Sequence, residues 1–173
     1  YAVKRINRRI PVVAGTGAND TAHGIRLSVA AEKLGVDALL QVTPYYNKAS
    51  QRGLVKHFTA IANSVNIPIV LYNVPSRTGC NISIDTYKEL AKVPNIVATK
   101  EASGNMSLAA EIAAYTDLDI YSGNDDQVLP VLSLGGKGVI SVTSNLMPRE
   151  KHDEVALFNE GKIAEALAIQ AKI

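Results

Sequence analysis

The sequence predicts an α/β protein of the (β/α)8 TIM-barrel class, represented by six of its eight strands, and three observations carry that reading. Short apolar runs rich in β-branched residues recur along the chain without alternating with polar ones, as expected of strands covered on both faces in a parallel sheet. Their starts near residues 10, 38, 67, 96, 120 and 139 are 28, 29, 29, 24 and 19 residues apart, close to the roughly 30 residues per strand–helix unit of a barrel. Every run also ends in small or polar residues. A doubly wound sheet places ligand sites at strand carboxyl ends too, but only a barrel gathers all of those ends around one mouth.

Each element has its own signal. Ile10 to Ala14 is the first strand and runs into Gly15-Thr16-Gly17-Ala18-Asn19; Asp20 or Thr21 then caps a helix carrying Ile25, Val29 and Leu34, which Gly35 stops. Ala38 to Val42 ends in Thr43-Pro44-Tyr45-Tyr46, and Ser50 caps a helix with Leu54, Phe58 and Ile61. Ile67 to Tyr72 leads into Asn73 and a loop through Gly79, before Ser83 caps a helix with Tyr87 and Leu90. Ile96 to Thr99 opens into Lys100-Glu101, and Asn105 caps a helix with Leu108 and Ile112. Ile120 to Ser122 ends in Gly123-Asn124-Asp125; Gly135-Gly136-Lys137-Gly138 makes a tight turn into Val139 to Val142, which ends in Thr143-Ser144-Asn145. After Pro148 two short helices are expected to pack on the outside of the barrel. No linker or low-complexity run divides the chain, so residues 1–173 form a single partial barrel domain.

Composition narrows the function. With 173 residues, 47% hydrophobic and 20% charged, the chain has material for a sizeable core. Lys and Arg total 18 against 16 for Asp and Glu, without blocks of like charge, which argues against nucleic acid or a membrane as a partner held by bulk electrostatics. Apolar runs stop well short of the roughly 20 residues that span a bilayer. Residues 1–10 are basic and lack the apolar core of a signal peptide, and the single Cys80 excludes an internal disulfide, so a reducing, cytoplasmic setting is expected.

Among candidate reactive groups, Lys100 sits where an apolar strand opens into the barrel mouth. Desolvation there favours the neutral amine, the nucleophile that forms Schiff bases with carbonyls; the alternative is a lysine that snorkels past the strand end. Tyr72 ends the preceding strand, where a phenol can shuttle protons or serve as a hydrogen-bonded core tyrosine. Arg77, in the loop above it, can bind a carboxylate in bidentate fashion or stand in solvent. Tyr45 and Tyr46 are adjacent and cannot both face the mouth, which points one of them at a neighbour or a partner chain. The Gly15-Thr16-Gly17 run has Asp20 in place of the third glycine of a dinucleotide fingerprint. His23, His57 and His152 lack metal-ligand spacing, and Cys80 has no base beside it in sequence.

TPYYN at Thr43 to Asn47, YNVPSRTG at Tyr72 to Gly79, TKEASGN at Thr99 to Asn105 and SGNDD at Ser122 to Asp126 together resemble the dihydrodipicolinate synthase family in wording, order and spacing. The resemblance runs through essentially the whole chain. It implies a homotetrameric class I aldolase-type lyase, a dimer of dimers without metal or organic cofactor, that condenses pyruvate with L-aspartate 4-semialdehyde to 4-hydroxy-tetrahydrodipicolinate on the diaminopimelate route to lysine. Carried over by position, Lys100 matches the imine-forming lysine and Tyr72 the tyrosine that exchanges protons with the intermediates. Tyr46 matches the tyrosine that reaches into a neighbouring subunit's site, with Tyr45 at the same interface. Arg77 matches the residue that binds the semialdehyde carboxylate, and Gly123 and Ile140 match backbone positions lining the pyruvate pocket.

Two departures from the family pattern stand out. The threonine pair that the family carries on its second barrel strand precedes this sequence, so the first two β/α units and the helices that follow residue 173 in the family are expected to be absent. His23 occupies the place of an acidic residue that binds the lysine inhibitor in regulated members, which predicts weak lysine feedback. Other pyruvate-dependent aldolases, the N-acetylneuraminate and 2-keto-3-deoxy sugar acid lyases, are the alternatives within the superfamily; N-acetylneuraminate lyase typically lacks an arginine at the Arg77 position. A non-catalytic fragment is the alternative outside it.

Overall fold

The computed structural model describes residues 1–172. Six strands, β1 (Val13–Gly15), β2 (Ala38–Val42), β3 (Ile69–Asn73), β4 (Ile96–Glu101), β5 (Asp119–Ser122) and β6 (Gly138–Val139), form one sheet in sequential order, every neighbouring pair parallel. That order decides between the two fold classes: a doubly wound sheet reverses its strand order at a switch point, and this one never does. The result is a curled α/β barrel with six strands in place.

Helices fill the intervals. They are α1 (Ala2–Ile6), α2 (Thr21–Lys33), α3 (Gln51–Ala62), α4 (Pro75–Thr78), α5 (Ile84–Leu90), α6 (Met106–Tyr115), α7 (Val128–Ser133), α8 (Pro148–Asn159) and α9 (Ile163–Gln170). The four expected caps all form: the side chains of Asp20, Ser50, Ser83 and Asn105 accept from the amides of His23, Gly53, Thr86 and Leu108. Gly135, at φ 90°, adopts the left-handed conformation that the turn before β6 requires.

Strand alternation sorts side chains between two faces. Leu39, Ile69, Leu71, Ile96 and Ile120 face the helices and share a core with Leu54, Phe58, Ile61, Tyr87, Leu90 and Ile112. A second, smaller core of Val128, Leu129, Leu132 and Ala166 ties α7 to α9. Among the described residues no helix is long and apolar enough to cross a membrane.

The structure departs from expectation at four places. The basic start of the chain forms α1, with no buried residue. The segment carrying Arg77 is the single-turn helix α4, begun by Pro75 and closed by Gly79 at φ 67°. The last strand is only Gly138–Val139, because Ser141, Val142 and Thr143 turn aside to bind Asp125. Finally, α9 does more than cover the outside: Gln170 reaches the mouth, where its Nε2 donates to the Asp126 carbonyl at 2.7 Å.

Candidate active site

The β3–β4 register places Tyr72 beside Lys100 and Asn73 beside Glu101. Tyr72 and Lys100 therefore share the concave face, while Asn73 and Glu101 face the helices. Lys100 Nζ lies 4.3 Å from the centroid of the Tyr72 ring. Lys100 is 7% exposed, and among the described residues no carboxylate stands within ion-pair distance of it. Burial pushes its ammonium below the ordinary lysine range, with the Asp125 carboxylate pulling weakly the other way. An amine lowered in this way holds more of the neutral, nucleophilic form near neutral pH.

Gly123 makes room for that lysine. A Cβ built there would lie 2.6 Å from Ala102 Cβ and 3.1 Å from both Cγ and Cε of Lys100, so any side chain would clash with Ala102 and press on the lysine stem. Above it opens a cavity of about 460 Å³ lined by Tyr72, Arg77, Gly123, Asp125, Val142 and Gln170 among others. Arg77 is exposed at its rim on α4. The α4 turn is tied down from within: Thr43 at the end of β2 donates to Thr78 Oγ1 at 3.0 Å, and the Tyr46 amide donates to the Thr78 carbonyl at 3.3 Å.

Asp125 forms one wall. Burial pushes its carboxyl up, but hydrogen bonds from Ser141 Oγ and from the Thr143 and Val142 amides outweigh it and hold the group below the usual carboxylate range. Those same bonds join the β5 and β6 ends across the mouth. Tyr121, next to Lys100 in the β4–β5 register, has its phenol pushed up by burial and by Asp119.

Of the residues picked out from sequence, Lys100, Tyr72, Arg77 and Gly123 come together. Neither Lys100, which lies beneath Tyr72 and Gly123, nor Ile140 is among the cavity-lining residues; the Ile140 amide donates to the Ser122 carbonyl at 2.9 Å, one step beyond β6. Tyr46 is 90% exposed, at φ 76°, and Tyr45 is 42% exposed. Asp125 and Gln170 enter the cavity wall without having been singled out. A carboxylate in a polar strand-end run left a trace in the sequence, whereas a glutamine near the end of an amphipathic helix left none.

The remaining candidates are structural. Cys80 is buried and its thiol is pushed up by that burial, which makes it inert. His57 packs between α3 and α2 with Nδ1 2.9 Å from Thr21 Oγ1, and burial lowers it against the pull of Asp20. His23 is exposed, with Nδ1 3.3 Å from an Arg26 nitrogen. No group of three or more metal-ligating side chains gathers among the described residues.

A model of the dihydrodipicolinate synthetase family matches residues 1–173. The 4-hydroxy-tetrahydrodipicolinate synthase of Caldicellulosiruptor saccharolyticus is 55% identical over 174 positions, which cover 100% of this chain and 59% of that protein. Among solved structures, the dihydrodipicolinate synthase from Aquifex aeolicus matches at a TM-score of 0.96 and 45% identity, over 99% of this chain and 59% of its own. The chloride-inhibited dihydrodipicolinate synthase from Acinetobacter baumannii complexed with pyruvate matches at 0.94 and 43% identity, over 98% and 59%. The chain thus spans 59% of the length of each of these relatives.

Proposed function

The chain belongs to the dihydrodipicolinate synthetase family, and on that premise we propose that it carries the Schiff-base half of a lyase site, in which Lys100 forms an imine with pyruvate. The observation that carries this reading is a buried lysine with no carboxylate in ion-pair range among the described residues, its Nζ on the face of Tyr72 and its stem against Gly123, two residues that line the cavity. The neutral amine attacks the ketone carbon of pyruvate, and the carbinolamine loses water. The iminium then withdraws electrons from the methyl group, which gives up a proton to become an enamine. Tyr72 is the group placed to relay these protons. No metal or organic cofactor is needed, because the protonated imine is itself the electron sink.

In the complete protein the enamine attacks the aldehyde of L-aspartate 4-semialdehyde, and 4-hydroxy-tetrahydrodipicolinate follows, the step that feeds diaminopimelate and lysine synthesis. Arg77 at the rim supports this acceptor over the sugar acids of the related lyases, since a guanidinium pairs with a carboxylate in a bidentate fork. Tyr46, exposed and held in a left-handed backbone conformation, is assigned to a neighbouring subunit's site in a homo-oligomer, a dimer of dimers. Ile140 contributes backbone rather than side chain. The setting is cytoplasmic, and lysine feedback is weak because His23 offers no carboxylate to the inhibitor's ammonium.

The test is intact mass after borohydride reduction in the presence of pyruvate, on the wild type and on Lys100→Ala. A pyruvate adduct on the wild type alone is expected. An adduct that persists in Lys100→Ala moves the chemistry to another amine, and no adduct on the wild type removes the reading from this chain.

A further inference from the structure

Behind the reactive face of β3 and β4 lies a buried polar cluster that the imine chemistry does not touch. Glu101 is 2% exposed and Asn73 is 0% exposed. Both Glu101 oxygens are occupied: Oε2 accepts from Tyr87 Oη at 3.1 Å and from Asn73 Nδ2 at 3.1 Å, and Oε1 accepts from the Ser103 amide at 2.7 Å. Asn73 spends its remaining groups on the segment after α4, donating to Asn81 Oδ1 at 2.8 Å and accepting from the Ile82 amide at 3.1 Å. Tyr87 Oη also lies 3.1 Å from Thr99 Oγ1. Burial and the Glu101 carboxylate push the Tyr87 phenol well up, so it remains a donor.

A buried carboxylate without a cation is costly, and a pair of apolar side chains would fill the same space with less penalty. What the charged cluster adds is direction. Hydrogen bonds to a carboxylate are directional, and three of them converge on Glu101 from β3, α5 and the loop after β4, while two neutral bonds tie Asn73, its neighbour in register, to the segment after α4. Those two residues immediately follow Tyr72 and Lys100. We propose that Asn73, Glu101 and Tyr87 are positioning residues for Lys100, locking the ends of β3 and β4 from the helix side so that the amine on the opposite side is held against the Tyr72 ring. The proposal rests on the reading of Lys100 as the imine-forming lysine for its purpose, but the placement of the amine is measurable without that chemistry.

Two variants test it. Tyr87→Phe keeps the ring in the core and deletes one donor; Glu101→Gln keeps the shape and turns one acceptor into a donor that faces a donor. Each is first checked by circular dichroism and thermal melting. The reactivity of Lys100 toward acetic anhydride is then followed across pH by peptide mass, with the exposed Lys137 as internal reference, alongside the rate of borohydride trapping with pyruvate. A loosened strand end lets water reach the amine, so its titration midpoint rises toward the ordinary lysine range. Labelling and trapping near neutral pH both fall, by about tenfold, as expected when a supporting residue lets a reactive group drift.

If folded Tyr87→Phe has a Lys100 labelling curve within twofold of wild type, the proposal is overturned; a uniform loss of stability with unchanged Lys100 reactivity overturns it equally. Tyr87→Phe decides the matter alone if Glu101→Gln fails to fold. Failure of wild type to trap pyruvate while Lys100 labels at a lowered midpoint would sink the catalytic reading and leave the positioning result standing.

Discussion

Two lysines in this molecule are buried to almost the same degree, and they do opposite things. Lys100, on β4, is 7% exposed and rests on an aromatic face with no carboxylate in ion-pair range among the described residues. Lys151, on α8, is 3% exposed and is fully engaged: its Nζ donates to Glu154 Oε2 at 2.9 Å and to the Asp125 carbonyl at 3.0 Å, with Asp125 Oδ1 3.7 Å away. Burial alone therefore does not make a nucleophile. What matters is whether the buried ammonium is left without compensation, which favours the neutral amine, or is taken up by hydrogen bonds to a carboxylate and a carbonyl. The Lys100 region leaves its ammonium without an ion-pair partner among the described residues, and the Lys151 region holds α8 against Asp125 in the cavity wall.

Replacing each lysine by methionine breaks the comparison most sharply. Lys151→Met leaves Glu154 buried and unpaired, its Oε1 already without a partner, and should cost about 3–5 kcal/mol in chemical denaturation. Lys100→Met removes an uncompensated ammonium, so it should leave stability unchanged or raised while abolishing the pyruvate adduct. The reverse pattern would mean that the two roles have been exchanged.

A smaller effect is expected at Gly123. Gly123→Ala puts a methyl 2.6 Å from Ala102 Cβ and 3.1 Å from the Lys100 stem, and the small displacement this forces on the lysine should slow adduct formation by about tenfold. Trapping kinetics at saturating pyruvate measure this; an unchanged rate would mean that the amine does not work from where it lies.

The pH dependence sharpens the contrast further. Because the folded-state value of Lys100 is depressed, the unfolded chain binds more protons between that lowered value and the ordinary lysine range. Stability from this group is therefore lowest below the depressed value and recovers as pH rises through the window. Wild type should gain stability relative to Lys100→Met over that alkaline interval, and parallel curves would contradict it. Asp125 gives a slope of the same sign in the acid range: its lowered carboxyl contributes stability that is lost as pH falls through the folded-state value, and Asp125→Asn should flatten the acid limb.

The smallest effect belongs to a third lysine. Lys88 also sits over an aromatic ring, 4.5 Å from the Tyr115 centroid, and lies 3.8 Å from Asp85, but both partners are largely exposed. Lys88→Ala should change stability by no more than about 1 kcal/mol, in contrast to the buried stacking of Lys100 on Tyr72.

Much of the fold was legible because the signals are local. Ala38–Val42 is a strand over the residues expected, and the caps at Asp20, Ser50, Ser83 and Asn105 form as their side chains predict. The sixth strand was overextended because Val139 to Val142 is apolar and β-branched. Its competitor, a carboxylate 16 to 18 residues earlier that captures Ser141 Oγ and the Val142 and Thr143 amides, is non-local and carries no mark in the run itself. The helix at Pro75–Thr78 was missed for the opposite reason: a single turn is too short to show a period.

Periodicity, spacing and capping chemistry therefore determined, from the sequence by itself, six parallel strands, the intervening helices and a set of strand-end residues that included Lys100, Tyr72, Arg77 and Gly123. The tertiary structure alone decided which of those ends share a wall. It put Lys100 on the Tyr72 ring, brought the Lys151 ammonium to the Asp125 carbonyl, brought Gln170 to the mouth and set Glu101 behind the Tyr72–Lys100 face. These are contacts between residues far apart in the chain, fixed by strand register and by the competition for buried hydrogen bonds, neither of which any short stretch of sequence encodes.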